Sequence, residues 1–179
     1  MSQGKASSHG GNDAPAVTFS VVLIFSLVLA AWALPAAAQE AANDPGKILV
    51  EISLSLDHKS DLDAIKREFA SVGITKVRHK IFQAGHPPTN IAIGRNVSAD
   101  IARRAIRIAN TYNRGITKLL PEERLAPDYV AIGTAIFDEL FQYPVSPTDV
   151  ERLNAPDLTT GQFHELYRSL ADINQRPYR

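Results

Sequence analysis

The segment of this chain that comes closest to a catalytic motif is residues 164–168, which read HELYR. A zinc protease of the H-E-x-x-H class needs two histidines one helical turn apart to hold the metal, and a glutamate between them to activate water. Here Arg168 occupies the position of the second histidine, so the pair of metal ligands is missing. We therefore expect no metal site, and we interpret Glu165 and Arg168 as an i, i+3 pair on a helix surface.

Other catalytic signatures are also missing from the sequence. It contains no G-x-S-x-G nucleophile elbow, no phosphate-binding glycine loop and no G-x-G-x-x-G fingerprint. Asp138 and Glu139 are adjacent, so in a strand or a helix they point in different directions, unlike the paired carboxylates of an acid–base site. We predict a protein that is not an enzyme and has no cofactor. A hydrolase whose site is assembled by the fold from His86, Asp138 and Glu139 stays as an alternative.

Basic residues form the larger group that could bind a ligand. Lys76, Arg78 and Lys80 alternate along a predicted strand, where His79 falls on the opposite, apolar face and is expected to be a hydrogen-bonded core residue. Further arginines surround the predicted second helix, namely Arg95, Arg103, Arg104, Arg107 and Arg114. Guanidinium and ammonium groups bind carboxylates and phosphates. These residues therefore predict a surface for an anionic ligand, although strand and helix cations belong to opposite faces in a two-layer fold.

The charge distribution supports the same candidate but also a simpler interpretation. Residues 59–118 carry 12 Lys and Arg against 4 Asp and Glu, whereas residues 119–179 carry 5 against 10. The acidic C-terminal part could fold back over the basic middle, or the cations could form an ordinary solvated surface. Both alternatives stay open at the level of sequence.

The N-terminal region predicts where the protein works. Residues 17–34 form an almost uninterrupted apolar run that is followed by three alanines, residues 36–38. This pattern is typical of a secretory signal peptide cleaved after Ala38. We predict an exported protein, periplasmic or secreted. Retention in the inner membrane is the alternative, because 18 apolar residues lie at the lower end of what spans a bilayer. The absence of cysteine excludes disulfides and thiolate metal ligands.

The predicted organisation is a signal peptide (1–38), a disordered lead-in (39–46), an α+β domain (47–143), a C-terminal helical extension (144–171) and a tail (172–179). Within the domain, we predict strands over 47–56, 74–82, 90–94, 116–120 and 129–136. One helix follows a Ser60/Asp63 capping box and a second begins after Ser98. Two short helices begin after Ser146 and Thr159.

This order is β-α-β-β-α-β with an additional strand, which is typical of a ferredoxin-like, split βαβ fold. That fold predicts an antiparallel sheet with both helices on one face. A three-layer α/β arrangement is the alternative.

A short internal repeat bears on a second function. Residues 91–94 read IAIG and residues 130–133 read VAIG. In both strands the large residues alternate with Ala and Gly, so one sheet face carries only small side chains there. Such a face could pair with another envelope protein or with a second copy of the chain. The other interpretation is that a loop or the C-terminal segment of the protein covers it.

The run PPTNIAIG at residues 87–94, followed by a helix, a strand and the VAIG of residues 130–133, resembles uncharacterised exported bacterial α/β domains. More distantly, it is similar to the ferredoxin-like sporulation-related repeat and LytR C-terminal families of cell-envelope modules. The resemblance covers residues 47–136. It implies a ferredoxin-like fold and, for the sporulation-related repeat, binding to peptidoglycan glycan strands through a sheet face. No single residue matches a family binding motif.

Together these observations predict an exported, non-enzymatic binding domain of the bacterial cell envelope. The expected partner is an anionic envelope polymer such as peptidoglycan, or another envelope protein, and not a nucleic acid. Contact with the membrane is expected only if residues 17–34 stay uncleaved. The predicted binding residues are Lys76, Arg78, Lys80, Arg95, Arg103, Arg104 and Arg107.

Overall fold

The structure, a computed structural model of the 179-residue chain, describes residues 44–134 and 144–174. These residues belong to the unit Gln39–Arg179. The predicted signal peptide and the pair Asp138 and Glu139 lie outside the described residues. Within the described ranges, no helix is both long enough and apolar enough to cross a membrane.

Within the described residues, five strands form one mixed sheet in the order β2-β1-β5-β3-β4. The strands are β1 (Leu49–Ser55), β2 (Lys76–Phe82), β3 (Asn90–Ile93), β4 (Lys118–Leu120) and β5 (Tyr129–Ile132). β1 runs parallel to both β2 and β5, β3 runs parallel to β4, and β5 runs antiparallel to β3. The α+β class and the predicted sequence of elements are confirmed.

The predicted antiparallel sheet is wrong, and the ferredoxin-like arrangement is not confirmed. A split βαβ unit keeps another strand between its two parallel strands, whereas β1 and β2 are direct neighbours here. The same holds for β3 and β4. Each of these pairs is joined by a helical crossover, which is the usual connection between neighbouring parallel strands.

In the part of the chain that the structure describes, four α-helices accompany the sheet: α1 (Leu62–Ala70), α2 (Ala99–Tyr112), α3 (Pro147–Leu153) and α4 (Thr160–Asn174). Three of the predicted starts are confirmed by side-chain caps. Ser98 accepts from the Ile101 amide at 3.4 Å, Ser146 accepts from the Asp149 amide at 3.1 Å, and Thr159 and Gln162 form a reciprocal capping box. The predicted Ser60/Asp63 box is wrong, because a 3₁₀ helix, Leu56–Asp61, precedes α1.

The hydrophobic core lies between one face of the sheet and the helices. Val50, Ile52 and Leu54 alternate along β1 and are buried, as the period of a strand requires. Helices α1, α2 and α4 add apolar side chains to the same cluster. Phe163 and Tyr167 of α4 are fully buried in it, so the two C-terminal helices complete the core of this domain.

The other sheet face is covered over only part of its area. Ala92, Leu120 and Ala131 form a small buried cluster under Leu125 and Tyr129. The loop preceding β5 lies so close that a Cβ at Gly94 would stand 2.4 Å from the Pro127 carbonyl oxygen. The small-residue face of the IAIG and VAIG strands is therefore covered by a loop of the protein, and a partner would have to displace that loop to pair there.

Candidate functional site

The uncovered part of the second face carries the basic strand. Lys76, Arg78 and Lys80 are exposed on β2, which is an edge strand. Because side chains alternate along a strand, all three cations lie on one face, spaced about 6.6 Å apart. Their neighbours on β1 in the sheet register are Leu49, Glu51 and Ser53. The structure thus confirms that the strand cations share one exposed face, which we call the basic strand face.

One carboxylate lies within this cationic surface. Glu51 accepts a 2.7 Å hydrogen bond from the Tyr129 hydroxyl and lies 3.4 Å from the Arg78 guanidinium. The pKa of the Tyr129 hydroxyl is raised above its ordinary value, mainly by burial and secondly by the hydrogen bond to Glu51. This hydroxyl therefore stays a hydrogen-bond donor. The Arg78 side chain is 73% exposed, which leaves its guanidinium accessible to a ligand. Three cations against one carboxylate give the basic strand face a net positive charge.

A cleft of about 330 Å³ opens beside these cations. Arg78, His79 and Lys80 lie on one side of it, Glu51 and Ser53 line it from β1, and Thr134 lines it from the end of β5. The Lys80 ammonium lies 5.0 Å from the centre of the Phe82 ring, a cation–π contact that positions it at the cleft. The cleft therefore combines cations, one carboxylate, hydroxyls and apolar surface.

The predicted arginines of the second helix do not join this surface, because α2 packs on the opposite face of the sheet. Arg103 is only 12% exposed, and it donates to the carbonyls of Ala155 and Leu158 and pairs with Asp100 at 2.5 Å. Arg104 lies 3.7 Å from Glu68 of α1. Both therefore hold elements of the domain together. The remaining predicted arginines are exposed away from the basic strand face: Arg95, Arg107 and Arg114.

The histidines are distributed differently from the sequence expectation. His79, predicted to be a core residue, is exposed. The prediction is wrong because β2 is the edge of the sheet, where the helical layer leaves part of the strand uncovered. His86 lies exposed in the loop before β3. Since Asp138 and Glu139 fall outside the described residues, the hydrolase alternative stays a prediction.

The sequence analysis missed a buried pair of titratable side chains, Glu122 and His164. Nδ1 of His164 contacts Oε1 of Glu122, and Nε2 donates to the Val97 carbonyl at 2.7 Å. The two side chains are only 8% and 5% exposed. Since a carbonyl only accepts, Nε2 carries the hydrogen of that bond, and Nδ1 on the other side of the ring faces the Glu122 carboxyl group.

This pair assigns a structural role to the HELYR segment. Arg168, which we expected to pair with Glu165, instead lies 4.0 Å from Oε2 of Glu122. Together these contacts join α4 to the 3₁₀ helix that follows β4. The signal available in the sequence was helical spacing, because His164 lies three residues from Tyr167 and seven from Ala171, both buried.

Among residues 44–134 and 144–174, no group of three or more His, Cys, Asp or Glu side chains is placed to hold a metal ion. Comparison with known proteins adds no assignment: no family model, no curated protein and no solved structure matches this chain.

Proposed function

We propose that this protein is an exported, non-enzymatic binding domain of the bacterial cell envelope that binds an extended anionic polymer, such as peptidoglycan, through the basic strand face. The observation that supports it is the alignment of Lys76, Arg78 and Lys80 on one exposed face of an edge strand. The location outside the cytoplasm rests on the apolar run of residues 17–34 and the alanines after it.

The geometry favours a polymer over a small anion as the main ligand. The three cations extend over about 13 Å along β2, a length that a linear chain of anionic groups can follow. Each contact is solvent-exposed and contributes about 1 kcal/mol or less by itself. A polymer engages the three cations together, and the linked contacts then add to a useful affinity.

Charge reversal on the basic strand face tests this proposal. Residues 39–179 would be sedimented with purified peptidoglycan sacculi at 0.05 M and 1 M salt, as wild type and as the variant Lys76→Glu/Arg78→Glu/Lys80→Glu. We expect the wild type to co-sediment at low salt and to be released at high salt, because the Debye length falls to about 3 Å at 1 M. The variant should stay in the supernatant at both concentrations.

A matched control separates the site from overall charge. The variant Lys59→Glu/Arg67→Glu/Arg107→Glu changes the net charge equally, at three residues that are exposed on the helical side. We expect this control to sediment as the wild type does. Equal loss of binding in both variants would show nonspecific attraction and refute a site on the basic strand face.

A further inference from the structure

The cleft beside the basic strand face lies where three mutually parallel strands end. β1 is parallel to both of its neighbours, so the carboxyl ends of β1, β2 and β5 meet at one edge of the sheet. Crevices outside the carboxyl ends of parallel strands are the usual ligand sites of open α/β sheets, at the point where successive connections diverge. Here the chain leaves β1 toward β2 on one side, whereas β5 flanks β1 on the other.

Unequal strand lengths produce the cleft. Pairing of β1 with β2 continues to Ser55 and Phe82, but pairing of β1 with β5 stops at Ile52 and Ile132. Beyond that point, no described strand pairs with the β5 side of β1. Residues Glu51, Ile52 and Ser53 of β1 form one wall of the recess there.

The end of β5 is fixed in place by its neighbour β3. Gly133 adopts a φ of 72°, which turns the chain, and its amide donates to the Asn90 carbonyl at 2.9 Å. The buried Asn90 side chain then bonds both backbone groups of Thr134, accepting from its amide at 2.9 Å and donating to its carbonyl at 2.6 Å. Thr134 is thus held at the cleft by two hydrogen bonds with the buried Asn90 side chain.

The lining of the recess specifies the class of ligand. Arg78 and Lys80 offer donors for an anion. Glu51 also lines the cleft and lies 3.4 Å from one guanidinium nitrogen of Arg78, so a ligand carboxylate uses the remaining donors of Arg78 and the Lys80 ammonium. Ser53 and Thr134 supply hydroxyls that both donate and accept, as sugar hydroxyls require. The half-buried Phe82 ring gives apolar surface for the C–H groups of a sugar ring. A volume of about 330 Å³ lies at the lower end of small-molecule sites and suits one monomer.

We propose that this cleft binds a single sugar unit of the polymer that carries a free carboxylate, one not joined to a peptide, with that carboxylate on Arg78 and Lys80 and the ring hydroxyls toward Ser53 and Thr134. This inference rests on the proposed function and adds the unit that the polymer presents. Lys76 lies on the same strand face but does not line the cleft. It therefore contributes to the attraction of the polymer and not to recognition of the monomer.

The test measures monomer binding by isothermal titration calorimetry of the full-length chain in nonionic detergent. The probes are N-acetylmuramic acid, which carries a carboxylate, and N-acetylglucosamine, its neutral counterpart. We expect the acid to bind and the neutral sugar to bind at least about tenfold more weakly. Ser53→Leu, which fills the cleft without a change in charge, and Arg78→Gln should each weaken binding of the acid by about tenfold or more. Lys76→Ser should leave it within about twofold.

The outcomes separate this inference from the proposed function. Equal binding of the two sugars, or unchanged affinity in both Ser53→Leu and Arg78→Gln, would overturn the carboxylated-sugar site. If the chain binds sacculi but neither monomer, the cleft proposal fails and the polymer-binding function stands. If neither sacculi nor monomers bind, both fail.

Discussion

The buried Glu122–His164 pair allows a quantitative prediction about stability. In the variant Glu122→Leu, the Nδ1 side of His164 loses its partner at a site where the ring is only 8% exposed. Breaking a buried ion pair from one side costs about 3–5 kcal/mol, and leaving a neutral buried group unsatisfied costs about 1–3 kcal/mol. We therefore expect a loss of about 3 kcal/mol in the free energy of unfolding, or a decrease of about 10 °C in Tm.

Two further variants connect this loss to the contact itself. Glu122→Gln keeps one hydrogen bond to the imidazole and should cost about 1 kcal/mol. The double variant Glu122→Leu/His164→Phe removes both polar groups, and apolar replacement of a whole buried pair is often close to neutral. Its cost should therefore fall short of the sum of the two single variants by about 1.5 kcal/mol or more.

Urea unfolding of residues 39–179, followed by far-UV circular dichroism, measures these values. A loss below about 1 kcal/mol for Glu122→Leu, or additivity of the two single variants, would refute this account. The buried pair would then not be what holds α4 to the 3₁₀ helix Glu122–Arg124.

The remaining predictions concern backbone packing, a buried amide and alkaline pH. Gly94→Ala should destabilise the domain by about 2 kcal/mol or more, because its Cβ would lie 2.4 Å from the Pro127 carbonyl oxygen; thermal unfolding measures this. Asn90→Ala should cost about 2–3 kcal/mol, since both backbone groups of Thr134 lose their partner, and urea unfolding checks it. Burial raises the pKa of the Tyr167 hydroxyl above its ordinary value near 10, so the unfolded chain ionises first and stability should fall as the pH rises above about 10. Tyr167→Phe should flatten that fall, as pH-dependent unfolding would show; an unchanged pH profile would contradict the assignment.

Local patterns in the sequence predicted the elements, because alternation and capping act over a few residues. The apolar alternation of β1 and the caps Ser98, Ser146 and Thr159 are examples. The strand order could not be predicted in the same way, because no local sequence pattern determines whether β1 pairs with β2 or with another strand. The edge position of β2 followed from that order, and it explains why His79 is exposed despite lying on the apolar face.

The candidate site, like the fold, was predictable from the sequence only where it depends on local patterns. The alternation of Lys76, Arg78 and Lys80 has the period of a strand, so their common face was predictable. The cleft was not predictable, because it depends on where β5 stops relative to β1. The Glu122–His164 pair joins residues 42 apart in sequence, which only the fold brings together.

The most direct test of the account is to map the bound face in solution. Backbone amide NMR shifts of residues 39–179 would be recorded as solubilised peptidoglycan fragments are added at low salt. We predict that the perturbed amides cluster on β1 and β2 around Arg78 and Lys80, and that they recover at 1 M salt. Perturbations confined to α2 around Arg107, or none at all while intact sacculi are also not bound, would contradict a polymer-binding role for the basic strand face.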